Sequence, residues 1–257
     1  MQGQVYGKRM AKAVLPPDAA RLLYRFIDHG ISVAIVSHKT EYGHRDVERI
    51  PLREVALTWL SDHGFFDSDG FALRETDVYF ENTREEKVQR IADLKPEYFV
   101  DDLYEGFQEP EFPTGVGKLL YRAGDVCDEE ISGVLQCENW EAVGQVIIGE
   151  ETKADLVSMA NRIMRDDSVV ACTLAWEGIN SKIYRVSRDK GSTAALKRYP
   201  VFSNDRRDRL GVEYKSFQFL RKNGLSTIPN PIREDKKTNV GVFEWVSGVP
   251  ILSLIHI

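Results

Sequence analysis

Two sets of residues in this chain have the types and order that phosphate chemistry requires. In the first, Ser37 closes an apolar run (Val33-Ala34-Ile35-Val36), Lys87 falls in the opening turns of an expected helix, and Asp101-Asp102 close a second apolar run (Tyr98-Phe99-Val100). A hydroxyl donor and an ammonium can hold a phosphate, and a pair of carboxylates supplies the hard oxygens that Mg²⁺ prefers. In the second, the turn Gly178-Ile179-Asn180-Ser181 can lay backbone N–H groups over phosphates. Lys197 lies within Ala194-Ala195-Leu196-Lys197-Arg198-Tyr199, and Glu213 sits among Val212, Phe217 and Leu220 of a long periodic segment. A strand lysine held by a helix glutamate is a means of placing an ammonium against nucleotide phosphates. Taken singly, each of these residues has a plainer reading as a turn cap, a solvated lysine or a strand end. Their order is what favours chemistry.

The elements that must position the first set alternate. Helical spacing marks residues 17–29 (Ala19, Leu22, Leu23, Phe26, Ile27), with Pro17 in the first turn and Gly30 as the stop. A strand is expected over 31–36 and a second helix over 51–63. Further strands are expected at 77–80, 98–100, 118–121 and 134–136, with a helix starting near Trp140. Thr83-Arg84-Glu85-Glu86 has the form of a capping box and opens a third helix carrying Val88, Ile91 and Leu94 inward. Strand–helix alternation with short links predicts a mostly parallel sheet covered on both faces, with ligands at the carboxyl ends of its strands.

After about Gly149 the pattern changes. A helix over 152–164 leads into closely spaced strands at 169–176, 182–187 and 194–199, whose Gly-containing polar links predict an antiparallel meander. A long helix over 205–223 follows, with a strand pair at 235–238 and 240–245. The reading is therefore α/β, in two domains: residues 1–148 with a Rossmann-like sheet, and residues 149–257 with an α+β arrangement around an antiparallel sheet.

The segments VAIVSHKT, TREEKVQRIADL and YFVDDL resemble three motifs of the haloacid dehalogenase-like superfamily, over roughly residues 10–148. The resemblance implies Ser37 and Lys87 on a phosphate and Asp101 or Asp102 on Mg²⁺. That family's nucleophile is the first Asp of an Asp-x-Asp motif after the first strand, and it forms an aspartyl-phosphate. No Asp precedes Asp18, which stands at a helix start, so no phosphate-ester turnover is expected of these residues.

Gly178-Ile179-Asn180-Ser181, Leu196-Lys197, Val212-Glu213 and VFEWVSGVP resemble the N-terminal lobe of the aminoglycoside phosphotransferase and choline kinase-like family, over roughly residues 150–251. That family moves the γ-phosphate of ATP to a hydroxyl of a small molecule. The resemblance implies a nucleotide site made by Gly178, Asn180, Ser181, Lys197, Glu213, Glu244 and Val246, with Phe243–Val246 against the adenine. The family's His-Gly-Asp loop and second Mg²⁺-binding Asp lie in a following lobe. After Glu213 this chain offers only Asp235 and His256. The expectation is a truncated phosphotransferase that binds ATP weakly and transfers nothing, with apolar surface left open, the tail Ile251–Ile257 included. Two alternatives stand beside it: a Mg²⁺-dependent phosphatase lacking its nucleophile, and a pair of non-catalytic binding modules.

Composition narrows the classes. The chain has 257 residues, 42% apolar and 29% charged, with a formal charge of -6 and no Lys/Arg cluster of nucleic-acid type. No apolar run reaches the roughly 18–20 residues needed to span a bilayer, and the first residues lack the apolar core of a signal peptide. Cys127, Cys137 and Cys172 contain no Cys-x-x-Cys pair and read as reduced thiols. A cytoplasmic protein acting on a small molecule, without nucleic-acid or membrane partners, is the expectation.

Overall fold

The computed structural model describes residues 9–43, 48–123, 131–201 and 207–248. Cys127, the tail 251–257 and the last two residues of VFEWVSGVP lie outside the described residues. The chain divides into two compact units, Met1–Glu150 and Glu151–Ile257. It is mixed α/β, with one three-stranded parallel sheet, one two-stranded parallel sheet and one five-stranded antiparallel sheet.

The N-terminal unit runs α1 (Pro17–Asp28), β1 (Ile35–His38), α2 (Leu52–Asp62), β2 (Val78–Glu81), α3 (Arg84–Leu94), β3 (Tyr98–Asp101), β4 (Gly117–Tyr121), β5 (Val134–Cys137) and α4 (Trp140–Ile147). Strands β1 and β2 pair in parallel, as do β3, β4 and β5 in that order. The single parallel sheet expected from the alternation is thus two sheets, because β1 and β3 do not pair with each other. The same fact shortens the first strand. Residues 31–34 are not strand, since pairing with β2 begins only at Ile35 opposite Val78.

Helices nevertheless bridge the two sheets. From α1, Ala20 and Tyr24 pack with Ile35 and Val78, while Leu22 and Phe26 pack with Leu119 and Cys137. Val88 and Ile91 of α3 pack with Val36, Phe99 and Leu120, drawing on both sheets. The start of α3 follows its sequence signal. The Thr83 side chain accepts from the Glu86 N–H, and a Glu86 carboxylate oxygen accepts from the Asn82 N–H at 2.8 Å.

The C-terminal unit runs α5 (Lys153–Met164), β6 (Val169–Gly178), β7 (Ser181–Arg188), β8 (Thr193–Arg198), α6 (Arg209–Lys222), β9 (Pro231–Asp235) and β10 (Val240–Glu244). The antiparallel sheet has the order β6-β7-β8-β10-β9, so β8 is its middle strand. The last strand pair differs from the expected one: β9 ends at Asp235, and residues 236–239 make the turn. There Asp235 accepts from the Lys237 N–H and the Thr238 hydroxyl. Helix α6 also begins later than expected, because the Asp208 side chain caps it by accepting from the Gly211 N–H at 2.7 Å.

Period-two alternation divides the antiparallel sheet into two chemically distinct faces. Ala194, Leu196, Tyr184, Val186, Val240 and Val242 form a closed core with Leu156, Met159, Ala160 and Ile163 of α5. Residues one step out of phase point to the other face, which α6 covers through Leu210 and Tyr214, with the Tyr214 and Phe217 rings against Phe243. Gly241 lets the helix approach, since a side chain there would strike Leu210 and the Phe243 ring. On the α5 face, Arg198 donates to both Glu151 oxygens at 2.8 and 2.9 Å and ties the entry of α5 to the sheet.

Candidate functional site

In the N-terminal unit the ends of the parallel strands gather at the first turns of α3. Lys87, in the first turns of that helix, donates to Asp101 at the end of β3 at 2.6 Å. The pair is largely enclosed, with the Lys87 side chain 13% and the Asp101 side chain 7% exposed. The Phe99 ring centroid lies 5.3 Å from the Lys87 nitrogen. Asp102 follows with an exposed side chain, and its acid is held above the ordinary 3.8, first by partial desolvation and then by the negative charge of Asp101. From the other sheet, His38 at the end of β1 shares a hydrogen bond with the Asn82 carbonyl at 3.0 Å, just ahead of α3. Ser37 precedes it, in register with Phe80. Lys87, Asp101 and Asp102 thus come together in one place, while Ser37 stands on a strand that does not pair with theirs.

Asp101 and Asp102 are adjacent carboxylates, and the Lys87 ammonium already pairs with Asp101. Among the described residues no group of three or more His, Cys, Asp or Glu side chains is placed to hold a metal ion.

The Asp102 shift has a sign that can be tested. A carboxyl whose folded-state pKa is raised contributes stability below its unfolded pKa and loses that contribution as pH rises through the folded value. Asp102→Asn should therefore raise the melting temperature at pH 7, with the gain shrinking to nothing as pH falls below 3.8. A variant less stable than the parent at pH 7 would show that Asp102 is favourably paired as an anion.

The C-terminal unit carries the second set. Lys197, on the α6 face of the middle strand, donates to both carboxylate oxygens of Glu213 at 2.8 and 2.7 Å. Its register partners are Ile183 on β7 and Gly241 on β10. Gly178 and Ser181 pair across the tight turn joining β6 and β7, with Ile179 and Asn180 at its tip. Arg209, the first residue of α6, donates to the Asn180 side chain at 2.7 Å and so connects the turn to the helix. On β10, Glu244 accepts from the Asn230 N–H at 3.0 Å, and Val246 beyond it is 56% exposed.

Two further residues belong to this constellation and were not legible as functional. Tyr199 donates from its hydroxyl to Glu213 at 2.8 Å, and Arg209 reaches the turn. For Tyr199 a signal existed in the spacing, since it lies two residues after Lys197 on a period-two segment. For Arg209 there was none. Leu174, Trp176, Ile179, Val212 and Phe219 are all at least half exposed.

Comparison with known families returns no matching family model, and comparison with curated proteins returns no matching sequence.

Proposed function

We propose that the C-terminal unit is the nucleotide-holding half of an ATP-dependent small-molecule phosphotransferase of the aminoglycoside phosphotransferase-like type. The observation that carries this reading is the bidentate Lys197–Glu213 pair, formed between a middle strand and the helix lying over it. A lysine so held presents an ammonium at a fixed point above the sheet, where it can meet the phosphates of a nucleotide. The Gly178–Ser181 turn lies beside the start of α6 through Arg209, and its backbone N–H groups are suited to phosphate oxygens. The edge Phe243–Val246 would take the adenine. Mg²⁺ accompanies ATP in this chemistry by neutralising the phosphate oxygens. Such a protein would work in the cytoplasm, where ATP and small hydroxylated acceptors are available.

The N-terminal unit supports a companion reading as a haloacid dehalogenase-like phosphate and Mg²⁺ module. That reading rests on the enclosed Lys87–Asp101 pair and the disfavoured charge on Asp102. Without an Asp-x-Asp motif in these residues, binding rather than turnover is the property assigned to it.

Calorimetric titration of the chain with Mg-ATP tests the principal reading. Saturable binding is expected, and Lys197→Met should weaken it by about tenfold or more, the loss of one charge-assisted contact of at least ~1.4 kcal/mol. Binding unchanged by Lys197→Met, or no binding at millimolar nucleotide, would overturn the assignment. A parallel titration with Mg²⁺ and inorganic phosphate, comparing the parent with Asp101→Asn, tests the companion module separately.

A further inference from the structure

The Lys197–Glu213 pair is joined by a third group. Tyr199 is 2% exposed, and its hydroxyl donates to Oε2 of Glu213 at 2.8 Å. The same oxygen receives Lys197 at 2.7 Å, and the Lys197 nitrogen lies 5.2 Å from the centroid of the Tyr199 ring. The carboxylate is therefore gripped by two donors from one strand segment, two residues apart on the same face. The anchor beneath is itself fixed. The Tyr199 N–H donates to the Asn239 carbonyl at 3.1 Å, and the Asn239 side chain donates back to the Tyr199 carbonyl at 3.4 Å. Asn239 adopts a left-handed φ of 58°, which suits the turn before β10 and is tolerated by asparagine. Burial and the Glu213 charge both oppose ionisation of the Tyr199 phenol, so it remains a donor.

This matters because α6 is otherwise lightly held. Of its fourteen residues only Leu210, Gly211 and Tyr214 are buried, and Val212 and Phe219 are each 65% exposed. With so few buried apolar side chains on α6, a Lys–Glu pair alone would fix its position loosely, since both side chains are long and flexible. A buried phenol has two side-chain torsions and a rigid ring, so it fixes a point in space at low entropic cost.

We propose that Tyr199 is a positioning residue that keeps Glu213, and through it Lys197 and α6, in the assembled arrangement when no nucleotide is bound. The proposal rests on the nucleotide-site reading for its purpose, but its geometry is independent of any ligand. Tyr199 does not touch the phosphates. It holds the glutamate that holds the lysine.

The test uses the whole chain with ¹⁵N-labelled lysine and no nucleotide. In the parent, the Lys197 ammonium should give a resolved, slowly exchanging signal. Tyr199→Phe should broaden or remove that signal and speed amide exchange across Tyr214–Lys222 by about tenfold, the weight of one hydrogen bond to a charged group. Tyr184→Phe is the control, since that buried tyrosine lies on the opposite face of the same sheet and should leave the Lys197 signal in place. If Tyr199→Phe does not fold, the parent still decides. With ¹³Cζ-labelled tyrosine in mixed H₂O and D₂O, the Tyr199 hydroxyl should exchange slowly enough to show two resonances, whereas one averaged resonance overturns the proposal. An unaltered Lys197 signal in Tyr199→Phe also overturns it. Failure of the parent to bind Mg-ATP, with these signals as expected, would remove the nucleotide reading and leave the positioning of Glu213 standing.

Discussion

Asp101→Ala is expected to lower the stability of the N-terminal unit by about 3 kcal/mol, because it leaves the Lys87 ammonium enclosed without its partner. The value falls at the lower end for a broken buried pair. Lys87 retains some exposure and the face of Phe99, and Asp102 loses a like-charged neighbour. Tryptophan positions allow the two units to be followed separately in the intact chain. Trp59 and Trp140 report on the first unit, and Trp176 and Trp245 on the second. With 5-fluorotryptophan, urea should displace the ¹⁹F signals of the first pair at lower concentration in Asp101→Ala and leave the second pair unmoved. The double replacement Lys87→Met with Asp101→Leu should recover most of the loss, since the penalty lies in the orphaned charge rather than in the missing attraction. If Asp101→Ala alone unfolds within about 0.5 kcal/mol of the parent, the range of an ordinary surface substitution, the enclosed pair is not a feature of the folded protein.

Leu196→Ala should cost the C-terminal unit about 3 kcal/mol, combining lost apolar transfer with the cavity left behind. Leu196 is fully buried on the middle strand, opposite Tyr184 and Val242 and against α5. The consequence extends to the candidate site. Anchoring Leu196 on the α5 face is what obliges Lys197, its neighbour, to face α6, because successive side chains of a strand point to opposite sides. Loosening that anchor should therefore weaken the Mg-ATP binding proposed for this unit and move the Trp176 and Trp245 signals, while Trp59 and Trp140 unfold as in the parent. A variant as stable as the parent would mean that the core between the sheet and α5 tolerates a void of this size, and the register argument for Lys197 would lose its support.

Local chemistry was readable without the fold. Thr83 with Glu86 is a capping signal, and α3 begins where it says. Burial alternates along Thr193–Arg198, although Ala194-Ala195-Leu196-Lys197-Arg198 does not alternate in polarity and its last buried position is Arg198. Element type follows from spacings within a few residues, which is why the order of helices and strands agrees closely with expectation. That Lys87 and Asp101 lie at the same end of a parallel layer could be read from sequence, since one opens a helix and the other closes a strand; their direct ion pair at 2.6 Å could not.

Pairing between distant strands was not readable, because nothing local in β1 or β3 says whether a neighbour lies beside it. The parallel layer is therefore two sheets sharing helices on both faces, and residues 31–34 lack the partner that would make them strand. The exact start of α6 likewise depended on one side chain, Asp208, turning back to its own helix. Tyr199 shows the same limit at the candidate site. Its sequence position announces a buried aromatic two residues after a lysine and nothing more. Only the packing of α6 over the sheet brings the Glu213 carboxylate to its hydroxyl, and that contact spans fourteen residues of chain and two elements. Residue types and local spacing determined which charged and hydroxyl groups each element carries. Tertiary structure alone decided which of them meet, because hydrogen bonds and ion pairs act over a few ångströms in space whatever the separation along the chain.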